Sequence, residues 1–233
     1  MEILLKVPYA EKDLVKKQGA KWNPKLKSWY IDDMKKIGAV SKWLNNCDVI
    51  CENLYLLTKW QVCWKCRKSV EVVMLATDKS YAREEGFQCN DNIQLFTYVK
   101  DMPSKLAEYM KGHLYYPAFS KAIGEKYFIN HCSACKSIQG DNFLHEVPEQ
   151  AFYSKLCYPD NEPIKYAKIR NNFGVSLSAE LPHYDGISAS MEIYLSHMET
   201  GIENRASLHV DQKLINGLFD CSIKEPDITI PGI

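Results

Sequence analysis

LYLLTKWQVCWKCRKSVEVVMLAT, residues 54–77, consists of two apolar runs separated by a C-x-x-C. Both runs are rich in the β-branched, aromatic and long aliphatic residues that suit a pleated surface. The pattern therefore predicts the two arms of a hairpin with a cysteine knuckle at its tip. A second C-x-x-C lies in HCSAC, residues 131–135, entered from KYFIN (126–130) and left through DNFLHEV (141–147), which are again read as strand-like segments. Such a knuckle points two sulfurs at one ion while nearby amides donate to the thiolates, and two knuckles complete a tetrahedral set of four. Cys63, Cys66, Cys132 and Cys135 are the candidate ligands, and one structural Zn2+ is the expected cofactor. Two other readings of the same thiols compete with this one. Redox chemistry calls for a C-x-x-C at the start of a helix that follows a parallel strand, and strand-like runs on both sides of each pair argue against it. Plain packing as small hydrophobes would not call for two pairs in the same context. A set of four protein ligands leaves no open position for activated water, so the expected role is a clamp on the fold.

The rest of the chain sets the frame for these pairs. At 233 residues and 46% hydrophobic content the protein has ample material for one large domain or two to three small ones. The first residues carry Glu2 and Pro8 and give no uninterrupted apolar run of signal-peptide length, and no later stretch reaches about eighteen apolar residues. A soluble, cytoplasmic protein is the expectation. In that reducing setting nine cysteines point to metal or catalysis before disulfides. Cys47, Cys51, Cys89, Cys157 and Cys221 lack partner spacing and are read as buried or incidental thiols. His131 and His145 flank the second pair and are read as ordinary histidines, because four thiolates leave no vacancy.

Net charge is zero but unevenly spread. Residues 1–46 hold ten lysines against five acids for a net +5, residues 47–139 have a net +2, and residues 140–233 have a net −7. In the basic head, Ile3, Leu5 and Val7 alternate on one face of a short strand that Pro8 stops. A helix from about Ala10 follows, with Glu11 and Asp13 in its first turn, Lys16 and Lys17 in its last, and Gly19 at its end. KWNPKLKSWYI (21–31) reads as a hairpin turned at Asn23-Pro24, and Asp32 as the cap of a helix running to about Leu44. The whole is an α+β protein: a β-α-β-β-α head (1–46), a zinc-ribbon domain with an insert (47–148) and an acidic, β-rich C-terminal region (149–233). The insert holds a strand at QLFTYV (94–99) and a helix that starts at Pro103, with Leu106, Tyr109 and Met110 on one face.

Trp22 and Trp29 flank the head hairpin, which also carries Lys21, Lys25 and Lys27. Lysines interleaved with large rings suit single-stranded or forked DNA, with amines on phosphates and rings on bases. Against this, a unit of under fifty residues needs its tryptophans inside, and the lysines can form a plain solvated face.

The stretch from Leu4 to Ile31 resembles a small bacterial domain of unknown function that recurs in plasmid primases of the TraC type. The family pattern is VPYxEKDxAKxLGAxWDPxxKxWYV, matched here by Val7, Pro8, Tyr9, Glu11, Lys12, Asp13, Lys16, Gly19, Ala20, Trp22, Pro24, Lys27, Trp29 and Tyr30. Asn23 stands where that family has Asp. The stretch from CWKC (63–66) to NHCSACKSIQGDNFLHE (130–146) resembles an uncharacterised bacterial zinc-ribbon family, with Lys136 in place of its usual glycine. Neither resemblance brings an activity, but together they imply a bacterial, plasmid-related setting. The chain shows no G-x-x-x-x-G-K, G-x-S-x-G or H-E-x-x-H, so no catalytic residues are expected. The function expected is a non-enzymatic zinc protein that contacts nucleic acid through its head. The alternative is an interaction or inhibitory factor that engages a basic protein partner through its acidic C-terminal region.

Overall fold

A computed structural model describes residues 1–44, 47–91, 93–146, 164–171, 174–180 and 223–230. The head begins with β1 (Ile3–Leu5), in which Ile3 and Leu5 are buried and Leu4 is exposed. A single 3-10 turn, Tyr9–Glu11, leads into α1 (Lys12–Lys17), where Val15 is the buried residue. The helix stops at Gly19, whose φ of +94° lies in the left-handed region that glycine tolerates, and Ala20 N–H then closes onto the Val15 carbonyl. β2 (Lys21–Asn23) and β3 (Ser28–Ile31) form the hairpin, and β3 lies between β1 and β2. Asn23 fixes the turn, its Oδ1 accepting from the Lys25 and Leu26 amides.

Two details of the head differ from expectation. The cap is Asp33, whose carboxylate accepts from the Lys35 amide, while Asp32 pairs with Lys21 at 2.5 Å. The single helix expected to run to Leu44 is a 3-10 turn (Met34–Lys36), a short α2 (Ile37–Val40) and another 3-10 turn (Ser41–Trp43). The reason lies in the spacing: Met34, Ile37, Val40 and Trp43 recur every three residues, which is the 3-10 period, and all four pack into the head core. That core also takes in Cys47, Ile50, Tyr81 and Phe87, and Gly174 N–H donates to the Glu2 carbonyl at 2.8 Å. The head is therefore packed onto the rest of the chain.

The centre is built on β4 (Val49–Val62) and β5 (Ser69–Ala82), antiparallel from Val49↔Ala82 to Val62↔Ser69. β6 (Cys89–Asn90) and β7 (Gln94–Leu95) line the outer edge of β5. β12 (Lys165–Arg170) and β13 (Val175–Glu180) pair in succession along the other edge of β4, opposite Leu54–Thr58 and Val49–Cys51. β8 (Thr97–Asp101) adds to β13, while β14 (Ile223–Lys224) and β15 (Ile228–Thr229) add in parallel to β12. The described part of residues 149–233 is thus mostly strand, and its strands share one sheet with the centre. The expected strand around SASMEIYLSHM (188–198) lies outside the described residues.

α3 (Ser104–Gly112) starts after Pro103 and turns Leu106 and Met110 into the core. β9 (Tyr115–Ser120), β10 (Glu125–His131) and β11 (Ile138–Gln139) form a third sheet with β10 in the middle. The described part of the DNFLHEV segment, residues 141–146, is not strand: Asn142–Glu146 winds into a π-helical turn, with Leu144 N–H on the Gly140 carbonyl. Pairing ends at Gln139. Just beyond it Asp141 is buried, its carboxylate accepting the Tyr98 amide, and Leu144 is drawn into the apolar cluster around the cysteines. The protein is thus mixed, strand-rich and short of helix. Among the described residues no helix is long and apolar enough to cross a membrane.

Candidate metal centre

Each C-x-x-C occupies the tip of a hairpin, and the two tips are built alike. The ladder pair Val62↔Ser69 closes loop 63–68, and His131↔Ile138 closes loop 132–137. In the first loop Cys63 N–H donates to the Lys68 carbonyl at 2.9 Å and Arg67 N–H to the Cys63 carbonyl at 3.0 Å. In the second, Cys132 N–H donates to the Ser137 carbonyl at 2.9 Å and Lys136 N–H to the Cys132 carbonyl at 3.0 Å. Both turns place the residue after the second cysteine in the left-handed region, Arg67 at φ 63° and Lys136 at φ 60°. That geometry is why a glycine suits the position. Lys136 accepts it at a cost of about 1–2 kcal/mol.

Two side chains bind the tips to each other. Trp64 Nε1 donates to the Ile138 carbonyl across the gap at 2.7 Å. Deeper in, the buried Asn130 on β10 serves the edge of β5 as another strand would. Its Oδ1 accepts Val73 N–H at 2.8 Å and its Nδ2 donates to the Val73 carbonyl at 2.9 Å.

The four sulfurs of Cys63, Cys66, Cys132 and Cys135 consequently all lie within 4.8 Å of one another. Across the two tips the Cys63 and Cys135 sulfurs are 3.8 Å apart, and those of Cys66 and Cys132 3.6 Å. A regular tetrahedron with metal–sulfur bonds of about 2.3 Å has edges of about 3.8 Å, so the donor set fits one tetrahedral ion. Cys63 and Cys132 are buried, Cys66 and Cys135 partly so, and Leu57, Val70, Met74, Leu144 and Ile164 wall the site.

Hydrogen bonds to the sulfurs prepare them as thiolates. The Ser137 hydroxyl lies 3.4 Å from the Cys63 sulfur and 3.1 Å from that of Cys135. Gln139 Nε2 donates to the Cys63 sulfur and Cys135 N–H to the Cys132 sulfur, each at 3.4 Å. Burial opposes ionisation of Cys63, but the Cys66 amide and the Ser137 hydroxyl outweigh it and bring that thiol down to about 6. At Cys66 the Lys68 amide favours the thiolate, yet desolvation and the neighbouring thiols prevail and push it up to about 11. The Ser137 hydroxyl and amide lower Cys135 as well, so the resistance to ionisation sits at Cys66. A bound cation supplies the missing compensation, so metal uptake releases protons.

Other candidates stand apart from the sulfurs. The His131 ring stacks on Tyr116 with centroids 3.7 Å apart, its Nδ1 lies 3.2 Å from the Leu114 carbonyl, and burial lowers its pKa. The His145 side chain lies outside the described residues. Cys47 and Cys51 are buried and Cys89 is exposed, none of them in the cluster, while Cys157 and Cys221 fall outside the described residues. The sequence pattern did not single out Ser137 and gave Gln139 no role. Only their contacts with sulfur across the turn show what they do.

In the head, Trp22 is 48% exposed and Trp29 is half-buried against the core, their rings edge-to-face at 5.6 Å. Lys25 and Lys27 are exposed, and Lys21 is tied to Asp32. The tryptophan pair therefore spans the boundary between core and surface. No curated protein and no solved structure matches this chain. Residues 2–45 match the model of a family described as a domain of unknown function, DUF5710.

Proposed function

We propose that this is a non-catalytic bacterial protein in which one zinc ion, held by Cys63, Cys66, Cys132 and Cys135, staples two hairpins, while the N-terminal module binds single-stranded or forked DNA. One observation carries the metal assignment: four thiols from two loops distant in sequence meet in a volume that suits one tetrahedral ion. Zinc is the natural occupant of a closed four-thiolate site, where it contributes folding energy and leaves no position for substrate. Free thiols serving as ligands fit a reducing cytoplasm. The DNA reading is supported by the net +5 of residues 1–46, the exposed Trp22 and lysines, and the resemblance of the head to modules of TraC-type plasmid primases. That resemblance also favours a plasmid or mobile-element setting.

The test is anisotropy of a labelled single-stranded oligonucleotide and a forked duplex with the full chain, across a salt series. Binding should weaken linearly in log salt, and Lys25→Glu with Lys27→Glu should abolish it. No affinity at low salt overturns the DNA assignment and favours a basic protein partner for the net −7 of residues 140–233.

A further inference from the structure

Where the segment from Leu5 to Lys12 passes the end of the head hairpin lies a cleft of about 410 Å3 lined by rings and lysines. Trp22, Trp29 and Tyr9 line it as rings, Lys6, Lys12 and Lys27 as cations, and none of its lining residues is acidic. The register explains how it forms. Leu5 stands opposite Trp29 and Trp29 opposite Trp22, so one row of side chains crosses the sheet from the buried Leu5 to the half-exposed Trp22. The two indoles, with ring planes 61° apart, make an angled wall. On the far side Tyr9 is 82% exposed, with the Lys12 amine 4.3 Å from its ring centre. Lys27, at φ 49° in the turn, lines the same cleft. Among the described residues, neither Lys6 nor Lys27 forms an ion pair.

We infer that this cleft is a binding site for one nucleoside phosphate unit, its base held against the Trp22–Trp29 wall and Tyr9 and its phosphate by Lys6, Lys12 and Lys27. This deepens the DNA-binding reading of the head and rests on it, but it assigns the work differently. Lys6, Tyr9 and Lys12 enter the site, while Lys21 and Lys25 line none of it. The volume lies near the lower end of the range of about 300–1,000 Å3 typical of ligand pockets, which suits one nucleotide. Every base offers a π-face, so a ring wall flanked by amines takes a nucleotide with little regard to sequence. An acidic peptide would satisfy the amines but leave the rings without a stacking partner.

The experiment uses the full chain with a fluorescein-labelled ten-nucleotide oligothymidylate, and thymidine 5′-monophosphate, inorganic phosphate and a polyglutamate peptide as competitors. Trp22→Ala should weaken oligonucleotide binding about 5- to 150-fold, the loss of one stacked base. Lys6→Ala with Lys27→Ala should lower the salt slope by about two, whereas Lys25→Ala leaves the Trp22-dependent part intact. Circular dichroism confirms that each variant is folded, and Tyr9→Ala, at a surface ring, serves as a second stacking variant. Displacement by thymidine 5′-monophosphate assigns the cleft to free or terminal nucleotides. Retention in its presence, with the Trp22 effect, assigns it to a nucleotide within a strand. If the oligonucleotide binds but Trp22→Ala, Tyr9→Ala and the lysine pair behave like Lys25→Ala, the cleft assignment falls while DNA binding stands. If only the monophosphate binds, in a Trp22-dependent way, the cleft stands and DNA binding falls. Binding of neither, or equal competition by polyglutamate or phosphate alone, overturns the cleft.

Discussion

Replacing Asn130 by alanine should do more damage than its place outside the cysteine set suggests. Its amide occupies both polar groups of Val73, at 2.8 and 2.9 Å, in a region where Asn130 is 2% exposed and Val73 1%. Asn130→Ala leaves a buried N–H and a buried C=O on β5 without partners, at about 1–3 kcal/mol each. The expected loss is about 2–6 kcal/mol. In urea, with a slope near the upper end of about 1–3 kcal/mol per M for a chain of this size, that corresponds to a midpoint lower by roughly 0.7–2 M. Because Asn130 joins the strand entering one cysteine loop to the strand leaving the other, metal affinity should fall with stability, read by competition with a chromophoric chelator. Asn130→Asp is the sharper control: it keeps the acceptor for Val73 N–H but turns a carboxylate oxygen toward the Val73 carbonyl, so it should rescue nothing. A midpoint within about 0.3 M of the wild type, with unchanged metal affinity, would refute the idea that this side chain locks the two hairpins together.

Other perturbations act at single positions. Lys136→Gly removes a left-handed strain of about 1–2 kcal/mol and adds roughly 0.5–1 kcal/mol of unfolded-chain entropy, so it should stabilise the protein by up to about 1 kcal/mol in thermal melts. Gly174→Ala would place a Cβ 2.8 Å from Met1 Sδ, 3.0 Å from Ile50 Cγ2 and 3.1 Å from Ile3 Cγ1. Overpacking there should cost about 1–3 kcal/mol and loosen the head, detected as faster amide exchange in β1. Glu11 accepts from Lys42 and from the Trp43 indole, which hold its carboxyl below its ordinary 4.5. A lowered folded pKa gives stability present above about 4.5 and lost as pH falls through the folded value. The melting-temperature gap between wild type and Glu11→Gln should therefore shrink on acidification from pH 6 to pH 3, and a constant gap would count against it.

What the sequence made legible was local. Val62, Cys63 and Ser69 belong to one hairpin, and apolar runs with a C-x-x-C between them suffice to read it. The same holds for α1 with Gly19 and for Asn23 at its turn. The 3-10 turns after Asp33 were obscured because a spacing of three also fits an α-helical stripe. The π-helical turn after Gln139 depends on Asp141 meeting Tyr98, 43 residues away in sequence. Likewise, Asn130 and Ser137 are ordinary polar residues until Val73 and Cys63 are brought beside them. Trp22 and Trp29 have the same composition signal whether they fill a core or line a cleft. Only the register against Leu5 separates the two.

Whether one zinc ion joins the two cysteine loops is answered by X-ray absorption at the zinc edge together with elemental analysis of the purified chain. One zinc per chain with four sulfur neighbours at about 2.3 Å, lost in Cys63→Ser, is the predicted result. A metal-free protein, or zinc with nitrogen or oxygen in place of any of the four sulfurs, would contradict it.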